Sequence, residues 1–188
     1  MTDLTTLLNR NEKQAAQFQA GRIPIRPRLS TIVLTCLDAR VDPAHLFQLE
    51  PGDALVIRNA GGRFTPAVMR DLAVLGVLAA NLPGNNRPTP PDLAILHHTD
   101  CGMARMADPR IQQQVAQRLG LANSEVAAMA VVDPALTVRA DIEKLRNTSA
   151  APDALVVAGL VYDVTTGKVT EIVEPTSLRR SREAEASR

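Results

Sequence analysis

Aromatic residues are scarce in this sequence: tryptophan is absent, and the three aromatic types together make up 2% of the 188 residues. Surfaces that stack bases or sugars on aromatic rings are therefore nearly excluded. An excess of charge of one sign is also lacking, since Lys and Arg number 21 and Asp and Glu number 20. Without a basic excess to neutralise phosphates, a nucleic-acid partner is not expected.

Long apolar runs are missing as well. The longest extends from Leu72 to Ala80, well short of the ~20 residues that cross a bilayer, and the first residues lack the positive-then-apolar order of a signal peptide. We therefore expect a cytoplasmic protein with no membrane partner. Cysteine occurs only twice, as Cys36 and Cys101. In a reducing compartment such a pair is better explained as metal ligands or reactive thiols than as a disulfide.

The length and the 45% hydrophobic content predict one compact domain with short appendages. Helical spacing of leucines near the start predicts an N-terminal helical arm within residues 1–26. Residues 27–176 are predicted to form an α/β domain. The stretch 177–188 has no hydrophobic periodicity and is predicted to be a tail that is either mobile or docked on a partner subunit.

Short β-branched and apolar runs alternate with helical segments over most of the domain. This alternation predicts an α/β fold with a mostly parallel central sheet flanked by helices. Asp42-Pro43 and Thr65-Pro66 are typical helix starts, with a capping side chain before a proline. Strands are predicted at 31–36, 54–58 and 92–97, helices at 4–18, 66–80, 110–119 and 137–147, a proline-rich loop at 81–91, and a C-terminal hairpin-like edge at 153–162 and 168–173.

Chemically capable side chains lie at the carboxyl ends of three predicted strands: Cys36 at the first, Arg58 and Asn59 at the second, and His97 and His98 at the third. The carboxyl ends of parallel strands form one edge of a sheet, where ligands bind in open α/β folds. We therefore expect these side chains to converge. Two thiolates, from Cys36 and Cys101, and the His98 imidazole would suit tetrahedral Zn²⁺ and leave a fourth position open to water.

Each of these residues alone has an ordinary structural explanation. A buried free cysteine often acts as a small apolar side chain, and Asp38 with Arg40 could form a plain surface ion pair worth ~0–1 kcal/mol. The two cysteines also leave open a closed structural zinc site or a metal-free redox protein. Cys36 with Asp38 and Arg40, and His98 with Cys101, both follow predicted strands. The joint occurrence of these two groups favours the catalytic zinc site.

The motifs resemble those of the β-class carbonic anhydrases, with relatives that hydrolyse carbonyl sulfide or carbon disulfide. The resemblance extends from about residue 27 to 174. By it, Cys36, His98 and Cys101 correspond to zinc ligands, and Asp38 and Arg40 to a catalytic dyad. The segments that carry it are Cys36-x-Asp38-x-Arg40, Arg58-Asn59-Ala60-Gly61-Gly62, His97-His98-Thr99-Asp100-Cys101-Gly102 and Val161-Tyr162-Asp163.

The resemblance implies reversible hydration of CO₂ to bicarbonate and a proton, with one Zn²⁺ per chain and a zinc hydroxide as the nucleophile. The alternative is hydrolysis of carbonyl sulfide or carbon disulfide at the same site. It also implies a homodimer or a larger homo-oligomer. Two thiolates cancel the charge of Zn²⁺, so its water should be less acidic than at a three-histidine site. Asp38, kept ionised by Arg40, would compensate by orienting that water.

A glycine-rich segment follows the second predicted strand. Backbone N–H groups there can bind an anion such as bicarbonate, although a tight connection needing glycine dihedrals explains the segment equally well. The candidate substrate-pocket residues are Asn59, Ala60, Gly61 and Gly102.

Overall fold

The computed structural model describes residues 2–18, 21, 23–82, 92–152 and 154–178. Most of the predicted proline-rich loop at 81–91 lies outside these residues, and so does the predicted tail after residue 178. Within the part described, no helix is long and apolar enough to cross a membrane.

A five-stranded sheet organises the chain, and four of its strands are parallel as predicted. Its spatial order is β2-β1-β3-β4-β5. Strand β5 is antiparallel to β4 and completes the predicted hairpin-like edge. The strands are β1 (Thr31–Cys36), β2 (Leu55–Asn59), β3 (Asp92–His98), β4 (Val156–Tyr162) and β5 (Val169–Ser177).

Among the described residues, six α-helices accompany the sheet, and most of the longer ones begin at a capping side chain followed by proline. Asp42 and Thr65 cap their helices as predicted. Asp108 and Asp133 do the same before Pro109 and Pro134. The helices are α1 (Asp3–Ala16), α2 (Pro43–Leu46), α3 (Pro66–Ala80), α4 (Pro109–Leu119), α5 (Asn123–Ala127) and α6 (Pro134–Arg146).

Several predicted boundaries were wrong. Strand β2 lies one residue later than predicted, helix α6 starts at Pro134 rather than at residue 137, and the short helix α5 was not predicted. Strand β5 extends to Ser177, and Leu178 beyond it is fully buried. The first two residues of the predicted tail therefore belong to the packed structure. The division of the chain into arm, domain and tail remains a prediction.

Both faces of the sheet are buried at its central strands β1 and β3, as the β-branched runs predict. On one face, alternate residues of β1 and β3 such as Leu34 and Ile95 pack against Ile142 and Leu145 of α6. On the other face, Val33 and Leu96 pack with Val41 and Tyr162. The two rigid layers fix the ends of β1 and β3 beside each other.

Candidate metal centre

Cys36, His98 and Cys101 meet at the carboxyl edge of the sheet, as the sequence predicts. Cys36 is the last residue of β1, His98 is the last of β3, and Cys101 follows three residues later. Their ligand atoms all lie within 4.8 Å of one another, and all three side chains are buried. The strand register produces this meeting, because β1 and β3 pair in parallel and end together.

The geometry of this group fits a tetrahedral metal ion. Cys36 Sγ and Cys101 Sγ are 4.0 Å apart, close to the ~3.8 Å that two sulfurs show when each is ~2.3 Å from a tetrahedral zinc. His98 Nδ1 lies 2.9 Å from the Thr99 carbonyl oxygen. Because a carbonyl only accepts, Nδ1 donates its proton and Nε2 presents a lone pair. Nε2 is buried without a hydrogen-bond partner among the described residues.

The two thiols are electrostatically unequal when no ion holds them. A hydrogen bond from Cys101 is the largest influence that lowers the pKa of Cys36 to about 4. The same interaction with Cys36, together with burial, raises the pKa of the Cys101 thiol. The Asp38 amide also donates to Cys36 Sγ over 3.4 Å. The site therefore stabilises one thiolate by itself, and a second needs a cation between them.

Asp38 and Arg40 form a multiply bonded pair beside this group. Arg40 donates from Nε and Nη2 to the two Asp38 carboxylate oxygens, at 3.0 and 2.8 Å, and these bonds hold the pKa of Asp38 far below its usual range. Asp38 Oδ2 lies 4.0 Å from His98 Nε2. An ionised acceptor therefore stands next to the ligand atoms.

Arg40 also joins the loop after β1 to the loop after β3. Its Nη1 lies 2.7 Å from Asp100 Oδ2, and its Nη2 donates to the Asp100 carbonyl oxygen over 2.9 Å. Asp100 has a positive φ of 52°, a conformation that aspartate tolerates better than most residues. Its role could not be decided from the sequence, and the structure shows that it binds Arg40.

Arg58 forms hydrogen bonds to the backbone of the loop that begins at Cys36. Its guanidinium donates to the Cys36 carbonyl oxygen over 2.9 Å and to the Asp38 carbonyl oxygen over 2.8 Å. Both bonds restrain the backbone between the first cysteine and the Asp38 carboxylate. The predicted convergence of Arg58 with Cys36 is therefore confirmed.

The predicted pocket residues lie around the two sulfurs. The Asn59 side chain exchanges two hydrogen bonds with the Arg63 backbone, each 2.8 Å long, so it closes a turn over residues 59–63. Ala60 and Gly61 begin the 3₁₀ turn inside it, and Gly102 begins another after Cys101. Their contact with a substrate remains a prediction.

Gly62 was not singled out from the sequence, yet it makes the closest backbone approach at the site. Its φ is +66°, and a Cβ there would lie 2.9 Å from the Cys36 nitrogen and 2.9 Å from the Thr35 carbonyl carbon. The signal for it is the Gly-Gly pair itself, since such pairs mark left-handed backbone or close approach.

Apolar residues that the sequence did not point to cover the sulfurs from the interior. Val131 is buried in one cluster with Cys36 and Cys101, and Met103 packs against that cluster. Nothing in the local pattern around Val131 indicates this position, because a long-range contact places it there. The sulfurs therefore face an apolar wall on one side and the Asp38–Arg40 pair on the other.

Asp141 was also missed, although a signal for it exists. It lies in α6 among Val138, Ile142 and Leu145, which form the buried stripe of that helix. A charged residue at helical spacing within an apolar stripe indicates a buried ionic partner. That partner is Arg63.

A parallel sheet that brings two sulfurs and an imidazole to one edge defines an α/β metalloprotein. A sequence model of the carbonic anhydrase family matches residues 31–169 of this chain. The β-carbonic anhydrase 1 of Mycobacterium tuberculosis is 29% identical over 172 residues, which cover 92% of this chain and 99% of that protein. A carbon disulfide hydrolase of an Acidianus species is 27% identical, over 86% of this chain and 85% of that protein.

Solved structures agree with the sequence comparisons. The crystal structure of carbonic anhydrase from Streptococcus mutans matches with a TM-score of 0.74 and 28% identity, over 92% of this chain and 98% of that one. This chain belongs to the β-class carbonic anhydrase family, and its carbonic anhydrase relatives indicate a lyase that uses zinc. The resemblance inferred from the motifs is confirmed.

Gly62→Ala should destabilise the protein because the added Cβ meets the backbone of β1 at 2.9 Å in a left-handed conformation. We expect the free energy of unfolding to fall by about 2 kcal/mol or more, measured by chemical denaturation. Gly102→Ala is the matched control, since nothing lies within 4 Å of its Cβ position and its φ is not positive. Equal stability of the two variants would contradict the close approach.

Proposed function

We propose that this chain catalyses the reversible hydration of CO₂ to bicarbonate and a proton, with one zinc ion held by Cys36, His98 and Cys101. The observation that carries the proposal is the Asp38–Arg40 pair placed 4.0 Å from the unpartnered His98 nitrogen. A closed structural zinc site or a redox dithiol needs no such pair. The family to which the chain belongs supports the same reaction.

When bound, zinc supplies Lewis acidity that makes a coordinated water a nucleophile near neutral pH. The chain's own residues then orient that water. Asp38 would accept a hydrogen bond from a water on the metal and orient it toward the carbon of CO₂, and Arg40 keeps Asp38 ionised and fixed in place. On the other side, Val131 and Met103 form an apolar wall beside the sulfurs, which suits an apolar linear substrate.

Hydrolysis of carbonyl sulfide or carbon disulfide is the second candidate. It is favoured by the carbon disulfide hydrolase relative, which is 27% identical over 86% of this chain. The apolar wall would accept a linear sulfur compound equally well. The same zinc ligands and the same Asp38–Arg40 pair would serve this reaction.

We also propose that the chain forms a homodimer or a larger homo-oligomer. Two helices expose apolar residues at helical spacing: Leu4, Leu7 and Leu8 on α1, and Val74, Val77 and Leu78 on α3. Helix α1 buries none of its residues in a single chain. Two such faces are typical of surfaces that a partner covers.

Both cysteines are unbonded thiols, which is consistent with a reducing, cytoplasmic compartment.

Asp38→Asn should keep zinc but lose most turnover, because the amide retains the shape of the carboxylate without its charge. We expect zinc close to one ion per chain and CO₂ hydration reduced by ~100-fold or more, measured by metal analysis and stopped-flow pH-indicator assays. Asp92→Asn is the control, since Asp92 is exposed at the opposite end of β3. Wild-type turnover in Asp38→Asn would rule out the proposed role of the carboxylate.

Cys101→Ser should lose the metal itself, because a serine hydroxyl is a poor zinc ligand. Zinc content after dialysis should fall far below one ion per chain, while Asp38→Asn prepared in parallel retains it. A fully loaded Cys101→Ser protein would show that the ion is held elsewhere.

Substrate choice should be tested by assaying one zinc-loaded preparation on CO₂, carbonyl sulfide and carbon disulfide side by side. We expect kcat/KM to be highest for CO₂, with Asp38→Asn lowering every activity that uses this site. A higher value for carbonyl sulfide or carbon disulfide would assign the chain to the second candidate function.

Light scattering should give a native mass at least twice the 20.2 kDa of one chain. A double Leu7→Glu and Val77→Glu variant should lower that mass, because it places charge on both exposed faces. Leu119→Glu on α4 is the matched control, since Leu119 is also exposed but stands outside both faces. A wild-type mass of 20.2 kDa would overturn the oligomer proposal.

A further inference from the structure

A buried ionic cluster lies behind the two cysteines, and the proposed reaction does not use it. It consists of Arg63, Asp141 and His97, of which Asp141 and His97 are fully buried and Arg63 is 8% exposed. Ionised groups are rarely taken out of water unless they are closely paired. The cluster therefore calls for a physical explanation.

The Arg63 guanidinium holds two separate parts of the chain. Its Nε and Nη2 donate to the two Asp141 carboxylate oxygens at 2.7 and 2.9 Å, which is a bidentate pair. Its Nη1 donates to the carbonyl oxygens of Ala128 and Ala130 at 2.9 and 3.0 Å. One planar group thus links helix α6 to the segment that leads into Val131.

Asp141 has two further hydrogen-bond partners besides Arg63. Its Oδ2 also accepts the Phe64 amide at 3.0 Å, and Lys144 Nζ lies 3.2 Å from Oδ1. Burial is the largest single influence and opposes its ionisation, but the hydrogen bonds and charge of Arg63, the Phe64 amide and the Lys144 charge together keep the pKa of Asp141 below its usual range. The carboxylate is therefore a fixed anchor for Arg63.

The segments tied to Arg63 are the ones that surround the sulfurs. Val131 immediately follows Ala130 and packs on Cys36 and Cys101. The Arg63 backbone closes the turn with Asn59, and that turn contains Gly62, which lies against the Cys36 backbone.

His97, the third member of the cluster, contacts the same turn. Its Nε2 lies 3.2 Å from the Gly62 carbonyl oxygen and 3.6 Å from Asp141 Oδ2. Burial lowers the pKa of His97 and keeps the ring neutral. His97 lies outside the Cys36–His98–Cys101 group.

We propose that Arg63, anchored by Asp141, is a positioning residue that holds the Val131 segment and the 59–63 turn against Cys36 and Cys101, and thereby sets the metal affinity of the site. The inference rests on the proposed zinc centre. Global stability alone explains the cluster poorly, because a buried ion pair is often no more stabilising than apolar residues of the same volume. A fixed, directional link between three segments is what such a pair supplies and what apolar packing does not.

The test compares metal binding with stability in Arg63→Gln and Asp141→Asn. Zn²⁺ affinity is measured by competition with a chromophoric chelator, Co²⁺ geometry by the absorption spectrum of the cobalt-substituted protein, and stability by thermal unfolding of the metal-free form. We expect Zn²⁺ affinity to fall by ~10- to 100-fold in both variants, with a changed Co²⁺ spectrum. Asp141→Asn keeps the side-chain volume, so it provides a milder case if Arg63→Gln does not fold.

Ile142→Ala is the matched control for lost stability. Ile142 is the neighbour of Asp141 on α6, is fully buried in the apolar core, and has no polar side-chain group to bind the guanidinium. It should lower the melting temperature yet leave Zn²⁺ affinity within about twofold of the wild type and the Co²⁺ spectrum unchanged.

The positioning role is overturned if Arg63→Gln and Asp141→Asn lose stability as Ile142→Ala does but bind Zn²⁺ as tightly as the wild type, with its Co²⁺ spectrum. It is also overturned if all three variants lose affinity in proportion to their stability, since the effect would then follow from global unfolding. A wild-type chain that binds neither ion would overturn the proposed zinc centre and this inference together. If the wild type binds Zn²⁺ and the Arg63→Gln and Asp141→Asn variants bind it equally well, only this inference is overturned.

Discussion

Two sulfur atoms held 4.0 Å apart in a mostly buried site are the constraint on which the rest of this structure depends. Two thiolates at that distance repel each other, because little water lies between them to screen the charge. Their mutual hydrogen bond lowers the pKa of Cys36 and, together with burial, raises the pKa of Cys101, so only one of them is readily ionised. A divalent cation removes the repulsion, and the lone pair of His98 Nε2 completes the donor set. The chemistry of the site follows from the negative charge that two close thiolates carry when no cation lies between them.

The surroundings of the sulfurs differ on their two sides. Toward solvent stand Asp38, Arg40 and Asp100, joined by short hydrogen bonds, with side chains that are 18%, 48% and 76% exposed. Toward the interior stand Val131 and Met103, which have no polar side-chain group. A charged acceptor on one side and an apolar wall on the other is the asymmetry needed to bring an apolar molecule to an oriented water. The β-class carbonic anhydrase family to which the chain belongs carries out this kind of chemistry.

The part of the site that could be predicted from sequence is the part set by strand ends. Cys36 and His98 each end a strand, and parallel strands end at a common edge, so their meeting follows from local patterns. Helix starts at Asp42 and Thr65 follow from capping chemistry in the same way. Val131 and the Arg63–Asp141 pair could not be derived so directly, because chain segments far apart in sequence bring them to the site. The short helix α5 lacks a strong apolar period, and its start at Asn123 has no side-chain cap of its own.

The side-chain motif alone does not determine the geometry of the metal centre, because backbone groups also contribute to it. Besides the Cys101 thiol, Cys36 is stabilised as a thiolate by amides from Asp38 and Gly61. An amide can point at a sulfur only if the backbone comes close, and at Gly62 the space left for a Cβ is 2.9 Å from the Cys36 nitrogen. A side chain at position 62 would push that turn away from β1, and one at position 61 would meet the Val131 and Met103 side chains at 3.1 and 3.3 Å. The Gly-Gly pair therefore allows the 59–63 turn to lie close to the Cys36 backbone. The proposed role of the Arg63 links is to keep the turn at that distance.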